Sequence, residues 1–113
     1  MKVIIAGSSQ IDDYQIVVDA LNAANIVVTE VVSGMAIGVD KLGEKWAVEH
    51  GIPIKQFPAD WGRYGKSAGY VRNEQMADYA EGLVAIWDGC SRGTAHMIRT
   101  AKKRGLVVHV HRS

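Results

Sequence analysis

Apolar positions along this chain follow two alternating rhythms. Short runs rich in β-branched residues, Lys2 to Ala6, Ile26 to Val32, Ile52 to Phe57, Gly82 to Trp87 and Leu106 to Val110, read as five strands. Between them apolar residues recur at helical spacing: Ile16, Val17, Ala20, Leu21 and Ala24; Val39, Leu42, Trp46 and Ala47; a third helix over about Tyr70 to Ala80; and Ala95, Ile98 and Ala101. Asp12 or Asp13 supplies an N-cap for the first helix, and Gly51 and Gly105 close the second and the last. Only Pro58 to Gly69 keeps neither rhythm; four of its twelve residues are Gly or Pro, which predicts a long loop. The run Gly82 to Trp87 is apolar throughout, as befits a strand covered on both faces. Such β-α alternation predicts an α/β fold: a single Rossmann-like, three-layer domain over 1–113 with a mostly parallel five-stranded sheet and right-handed crossovers.

In such sheets ligands bind at the carboxyl ends of the strands. The loop Ser33-Gly34-Met35-Ala36-Ile37-Gly38-Val39-Asp40 falls there, between a strand and a helix, as do Gly7-Ser8 after the first strand and Asp88-Gly89-Cys90-Ser91-Arg92-Gly93-Thr94 after the fourth. Small residues before a helix N-terminus leave free amides and the positive end of the helix dipole open to an anion, so these loops are candidate phosphate cradles. The alternative for the last is an ordinary turn with Thr94 as N-cap.

Composition narrows the function classes. Thirteen Lys and Arg against twelve Asp and Glu leave a net charge of +1, which supplies no overall field toward nucleic acid or an anionic membrane. The linear sequence shows no aromatic-basic stripe either, so a nucleic-acid partner is disfavoured. No run is long and apolar enough to span a bilayer, and the N-terminus lacks a signal-peptide core, so a cytoplasmic location and no membrane partner are expected. One cysteine, Cys90, excludes an internal disulfide and lacks a histidine fixed beside it for thiol catalysis. His50, His96, His109 and His111 form no metal-ligand pattern; no metal and no cofactor are expected.

Individual side chains carry two readings each. Asp40 can bond a ribose hydroxyl or a base, or simply favour a helix start. Arg72 can grip a phosphate or form a surface ion pair; Asn73 can read a base edge or cap the third helix. Asp60 and Trp61 can hold a base, or Trp61 can plug the sheet edge, the reading its usual burial favours. Trp46 and Trp87 are expected in the core or at a subunit contact, and Lys102-Lys103-Arg104 complements a helix C-terminus.

Five strings stand in order: Ala6-Gly7-Ser8, Ser33 to Asp40, Phe57-Pro58-Ala59-Asp60-Trp61, Gly69-Tyr70-Val71-Arg72-Asn73-Glu74-Gln75-Met76, and Asp88 to Thr94. Together they resemble the YspA/YpsA-related branch of the SLOG superfamily, which also includes the Lonely Guy phosphoribohydrolases and the DNA-uptake protein DprA. The resemblance implies a nucleotide-derived small molecule as partner and a homo-oligomer, a dimer or tetramer. With the loop and side-chain readings above, the candidate ligand site takes in Gly7, Ser8, Ser33, Gly34, Met35, Ala36, Gly38, Asp40, Asp60, Arg72, Asn73, Asp88, Gly89, Ser91, Gly93 and Thr94.

Two departures matter. Met35 and Ile37 replace a glycine and an arginine of a Gly-Gly-Ala-Arg-Gly-like string, and Met97 stands where the Lonely Guy enzymes carry a glutamate taken as catalytic. Binding, for sensing or sequestration, is therefore the primary expectation. N-glycosidic hydrolysis is the alternative, with Arg72 orienting phosphate and Asp40, Asp60 or Glu74 supplying the carboxylate that an oxocarbenium-like centre needs.

Overall fold

A computed structural model describes residues 1–113. Five strands, β1 (Lys2–Gly7), β2 (Glu30–Ser33), β3 (Ile54–Gln56), β4 (Gly82–Trp87) and β5 (Val107–Arg112), form one sheet in the order β3-β2-β1-β4-β5. Every pairing is parallel. The predicted α/β class and Rossmann-like arrangement therefore hold, with the sheet wholly parallel.

Alternation within the strands divides the core. Val3 and Ile5 of β1 face helices α1 (Tyr14–Ala24) and α2 (Val39–Glu49), packing with Val17, Leu21, Val39 and Ala47. Ile4 and Ala6 face the opposite way, against Met76 and Ala77 of α4 (Ala68–Tyr79) and Met97, Ile98 and Ala101 of α5 (Arg92–Lys103). Residues 83 to 86 of β4 are fully buried, which explains their unbroken apolar character. No helix is long and apolar enough to cross a membrane.

Several boundaries differ from the sequence reading. Asp13, not Asp12, caps α1, its side chain accepting from the Gln15 amide at 3.0 Å. The second strand is only Glu30–Ser33: α1 ends at Asn25 in the left-handed conformation, and the following Val27 is 80% exposed, so Ile26 to Val28 join no ladder despite their β-branched composition. The third strand likewise shortens to Ile54–Gln56, while Gly51 takes the positive φ of 65° expected after α2.

The largest difference lies in 58–69. The segment is not a structureless loop: Asp60 caps a short helix, α3 (Trp61–Tyr64), accepting from the Arg63 amide at 3.0 Å, and a 3₁₀ turn, Gly65–Ser67, leads directly into α4. Only Gly65, at φ 57°, turns the chain between two helical pieces, while Gly62 and Gly69 lie inside α3 and α4, a pattern with no long period to detect. Ser91, not Thr94, caps α5, its Oγ accepting from the Thr94 amide at 3.3 Å, so Gly93 and Thr94 lie inside the first turn. Asn73 lies within α4 and caps nothing.

Candidate functional site

The strand order places β1 at the centre, with β2 and β3 on one side and β4 and β5 on the other. The chain thus reverses its direction of travel between β1 and β4, and a crevice opens at their carboxyl ends. A cavity of about 330 Å³ occupies that place. Gly7 at the end of β1, Ala36 after β2, and Ser91, Gly93 and Thr94 after β4 line it from the sheet side; Trp61 of α3, Lys66, and Tyr70, Arg72 and Asn73 of α4 line it from above. The loops that the sequence assigns to one edge do share that edge.

Arg72 and Asp40 form its charged centre. Both crowd against Gly34: a Cβ there would stand 2.7 Å from Arg72 Nη1 and 2.8 Å from Asp40 Oδ2, so no larger residue fits without displacing them. Arg72 Nη1 donates to the Gly34 carbonyl and Nε to Asn73 Oδ1 at 3.1 Å, leaving Nη2 without a protein acceptor. Asn73 in turn donates from Nδ2 to the Gly93 carbonyl at 3.2 Å, with His96 Nδ1 also 3.2 Å away. One chain of hydrogen bonds therefore ties the loop after β2 to α4 and to the start of α5.

Asp40 is only 5% exposed, and its carboxylate accepts from the Ala36 amide at 3.3 Å. Burial raises its pKa from 3.8 to about 6, and the nearby Arg72 charge and the Ala36 and Gly7 amides oppose that rise without cancelling it. Burial also lowers the Arg72 pKa, against the pull of Asp40. Because the folded protein holds the Asp40 proton more tightly than the unfolded chain does, this group stabilises the fold most below pH 4. That contribution is expected to fall away as pH rises from about 4 to about 6, by about 3 kcal/mol in total. Urea unfolding of wild type and Asp40→Asn across pH 4 to 8 checks it: the variant loses that segment of the pH slope.

Other residues of the predicted site stand differently. Ser33 is fully buried, donating from Oγ to Glu44 at 2.6 Å and accepting from the Met35 amide at 3.1 Å, so it holds the loop's shape rather than lining the cavity. Met35, at φ 65°, occupies a left-handed position where glycine is favoured, the physical mark of the departure seen in the sequence. Ser8 is buried and its carbonyl accepts from the Val39 amide at 3.4 Å. Gly38 packs against Ser8 and Ser9, and Asp88 closes the turn after β4 by accepting from the Cys90 and Ser91 amides at 2.8 Å, with Gly89 at its corner. Asp60 lines a separate hollow beyond Arg72.

Glu74 is exposed and pairs with Arg104 at 3.8 Å, away from the cavity, so of the three carboxylates offered for catalysis only Asp40 lines it. Met97, in the position of the Lonely Guy glutamate, contributes an apolar side chain to the floor. Sequence reasoning missed Lys66 and Tyr70, whose place follows from the turn that joins α3 to α4. It also misplaced Trp61. No plug of the sheet, Trp61 is 62% exposed at the cavity mouth. Trp46 and Trp87 pack against the two core clusters as expected.

Residues 1–64 match the sequence model of the YAcAr family, described as the YspA, cpYpsA-related SLOG family. The Gene 61 protein of Mycobacterium phage D29 is 34% identical over 119 aligned positions, which cover 95% of this chain and 93% of that protein. The chain belongs to the YspA, cpYpsA-related SLOG family. No solved structure matches it. Within this SLOG protein the family match covers β1, the loop after β2 and Asp60, while Arg72, Asn73 and the α5 turn lie beyond it and are joined to it by the hydrogen bonds above. SLOG membership points to nucleotide-related binding or processing.

Proposed function

We propose that this protein binds a nucleotide or nucleotide-derived ligand in the cavity between β1 and β4, for sensing or sequestration. The observation that carries this reading is the cavity's division into two chemistries at the switch point. Arg72 Nη2, Lys66 and the first-turn amides of Arg92 and Gly93, which have no intrahelical acceptor, suit a phosphate. The exposed rings of Trp61 and Tyr70 suit a base. Exposed tryptophan is uncommon on a protein surface, and two aromatic faces beside a cationic cavity are suited to a ligand that is flat at one end and anionic at the other.

Titration calorimetry with nucleoside mono- and diphosphates, ribose 5-phosphate and inorganic phosphate tests it. Nucleotides are expected to bind at least about tenfold more tightly than ribose 5-phosphate, a difference of about 1.4 kcal/mol for a stacked base. Equal affinity for all four would refute the two-ended reading.

One observation favours a second reading, hydrolysis of an N-glycosidic bond: Asp40 is a buried carboxylate in the cavity, with a pKa of about 6, beside Arg72. The absence of a glutamate at Met97 argues the other way. Release of free base from a nucleoside monophosphate, lost in Asp40→Asn, would favour the hydrolase.

A further inference from the structure

The net charge of +1 conceals a strong segregation. Residues 88–113 carry six Lys and Arg against one carboxylate, Asp88, while residues 1–87 carry seven against eleven. The first group thus has a net charge of +5 and the second −4. Because β5 is an edge strand and α5 packs beside it, the basic group lies toward one edge of the sheet, bordered at Arg104 by Glu74 and Asp78 of α4.

On α5 the cations align. Arg92, Arg99 and Lys103 are spaced i, i+7 and i+11, which at 3.6 residues per turn puts them within about 20° of one line, about 16 Å long. His96 lies about 40° from that line, between Arg92 and Arg99. All three cations are exposed, and none has a carboxylate within 4.0 Å; the three ion pairs of the protein are Lys41 with Glu44 and Arg104 with Glu74 and Asp78. A groove of about 500 Å³ lies along the lower part of the row, lined by Glu74, His96, Arg99, Thr100, Lys103 and Arg104 without one apolar residue. Its single acid, Glu74, is already paired with Arg104.

The upper end of the row meets the cavity. Tyr70, 45% exposed, lines the cavity and packs its ring against His96 at a centroid distance of 4.4 Å, and His96 lines the groove. Cations in a line with an aromatic face alongside are the elements of a surface for unpaired nucleic acid: the cations follow the phosphates, and the ring stacks on a base. A duplex offers no free base to Tyr70, and an acidic protein has no need of one.

We infer that the α5 row and its groove bind the phosphodiester backbone of single-stranded nucleic acid, with one base of the strand against Tyr70. This surface shares Tyr70 with the mononucleotide reading of the cavity, while Arg99 and Lys103 lie outside that cavity. Recognition is independent of sequence, since the row presents cations to a backbone and a ring to any base.

The test is fluorescence anisotropy of the full chain with a labelled oligothymidylate of about 12 nucleotides, set against thymidine monophosphate by calorimetry. The oligonucleotide is expected to bind at least about tenfold more tightly than the monophosphate, with affinity falling steeply as salt rises. The double variant Arg99→Ala, Lys103→Ala removes two exposed cations with no partner, so circular dichroism is expected to be unchanged. It should lose affinity for the oligonucleotide and reduce the slope of log K against log salt by about 1.4, while leaving mononucleotide binding unchanged. Oligonucleotide binding without mononucleotide binding supports this surface and removes the cavity reading; the reverse keeps the cavity and overturns the surface. An unchanged double variant, equal competition by duplex DNA, or displacement by polyglutamate at equal charge concentration each overturns the inference.

Discussion

Exchanging Arg72 for methionine is expected to weaken nucleotide binding about 100-fold, the loss that follows when a charge-assisted contact of about 3 kcal/mol made by a half-buried guanidinium disappears. Arg72 lines the cavity with Nη2 unengaged, while Nη1 and Nε are held by Gly34 and Asn73, so its orientation exists before any ligand arrives. Methionine keeps much of the side chain's apolar stem, and the substitution leaves α4 intact. Removing the guanidinium also removes the largest of the influences that hold the Asp40 pKa down, so that pKa should move above about 6 and the pH dependence of stability should extend to higher pH. Calorimetry and pH-dependent unfolding of the same variant read both effects. Wild-type affinity in a folded Arg72→Met protein would remove the phosphate end of the cavity.

Substituting Gly7 with alanine should unfold the protein or destabilise it by about 3 kcal/mol, the upper range of forced overpacking. A Cβ at Gly7 would run into the Ile86 carbonyl and stand 2.8 Å from Val39 Cγ2. Neither neighbour can give way: the first belongs to the β1–β4 ladder, and the second is a buried, β-branched side chain at the start of α2. Gly93 provides the contrast. A Cβ there meets nothing within 4 Å, so Gly93→Ala is expected to keep wild-type stability, and any loss of binding in it reports on the ligand alone. Urea denaturation of the two variants makes the comparison; equal stability for both would mean that β1 and α2 are less closely packed than their geometry indicates.

These expectations differ in how far the linear chain could have supported them. The count and order of strands and helices were legible because burial on one or both faces writes a period of two, a period of 3.6 or an unbroken apolar run into the residues themselves. The caps at Asp13 and Gly51 were legible for the same local reason. Ile26 to Val28 show where such reasoning fails: β-branched residues propose a strand, but a strand also needs a neighbour to pair with, and the chain leaving Asn25 finds one only from Glu30 onward. Trp61 fails in the same way, since its usual burial is an average over sites, and the short α3 presents it at the cavity mouth instead.

The candidate site divides similarly. Loops after successive strands share an edge in any parallel sheet, so Gly7, Ala36, Asp40, Ser91, Gly93 and Thr94 could be grouped from their positions alone. Nothing local says that Arg72 will reach across to Gly34, that Glu74, two residues on, will face the opposite way, or that Arg92, Arg99 and Lys103 form one line beside Tyr70.

By itself the sequence determined an α/β chain with its small-residue turns at one edge and a family membership carried by those turns. The order β3-β2-β1-β4-β5, the crevice between β1 and β4, the nearness of Arg72 to Asp40 and the basic row along α5 were decided by the tertiary structure. The physical reason is one of range. Periodicity and caps record each residue's contact with water and with neighbours a few positions away, while strand order and charge alignment depend on which distant segments bury one another's apolar faces.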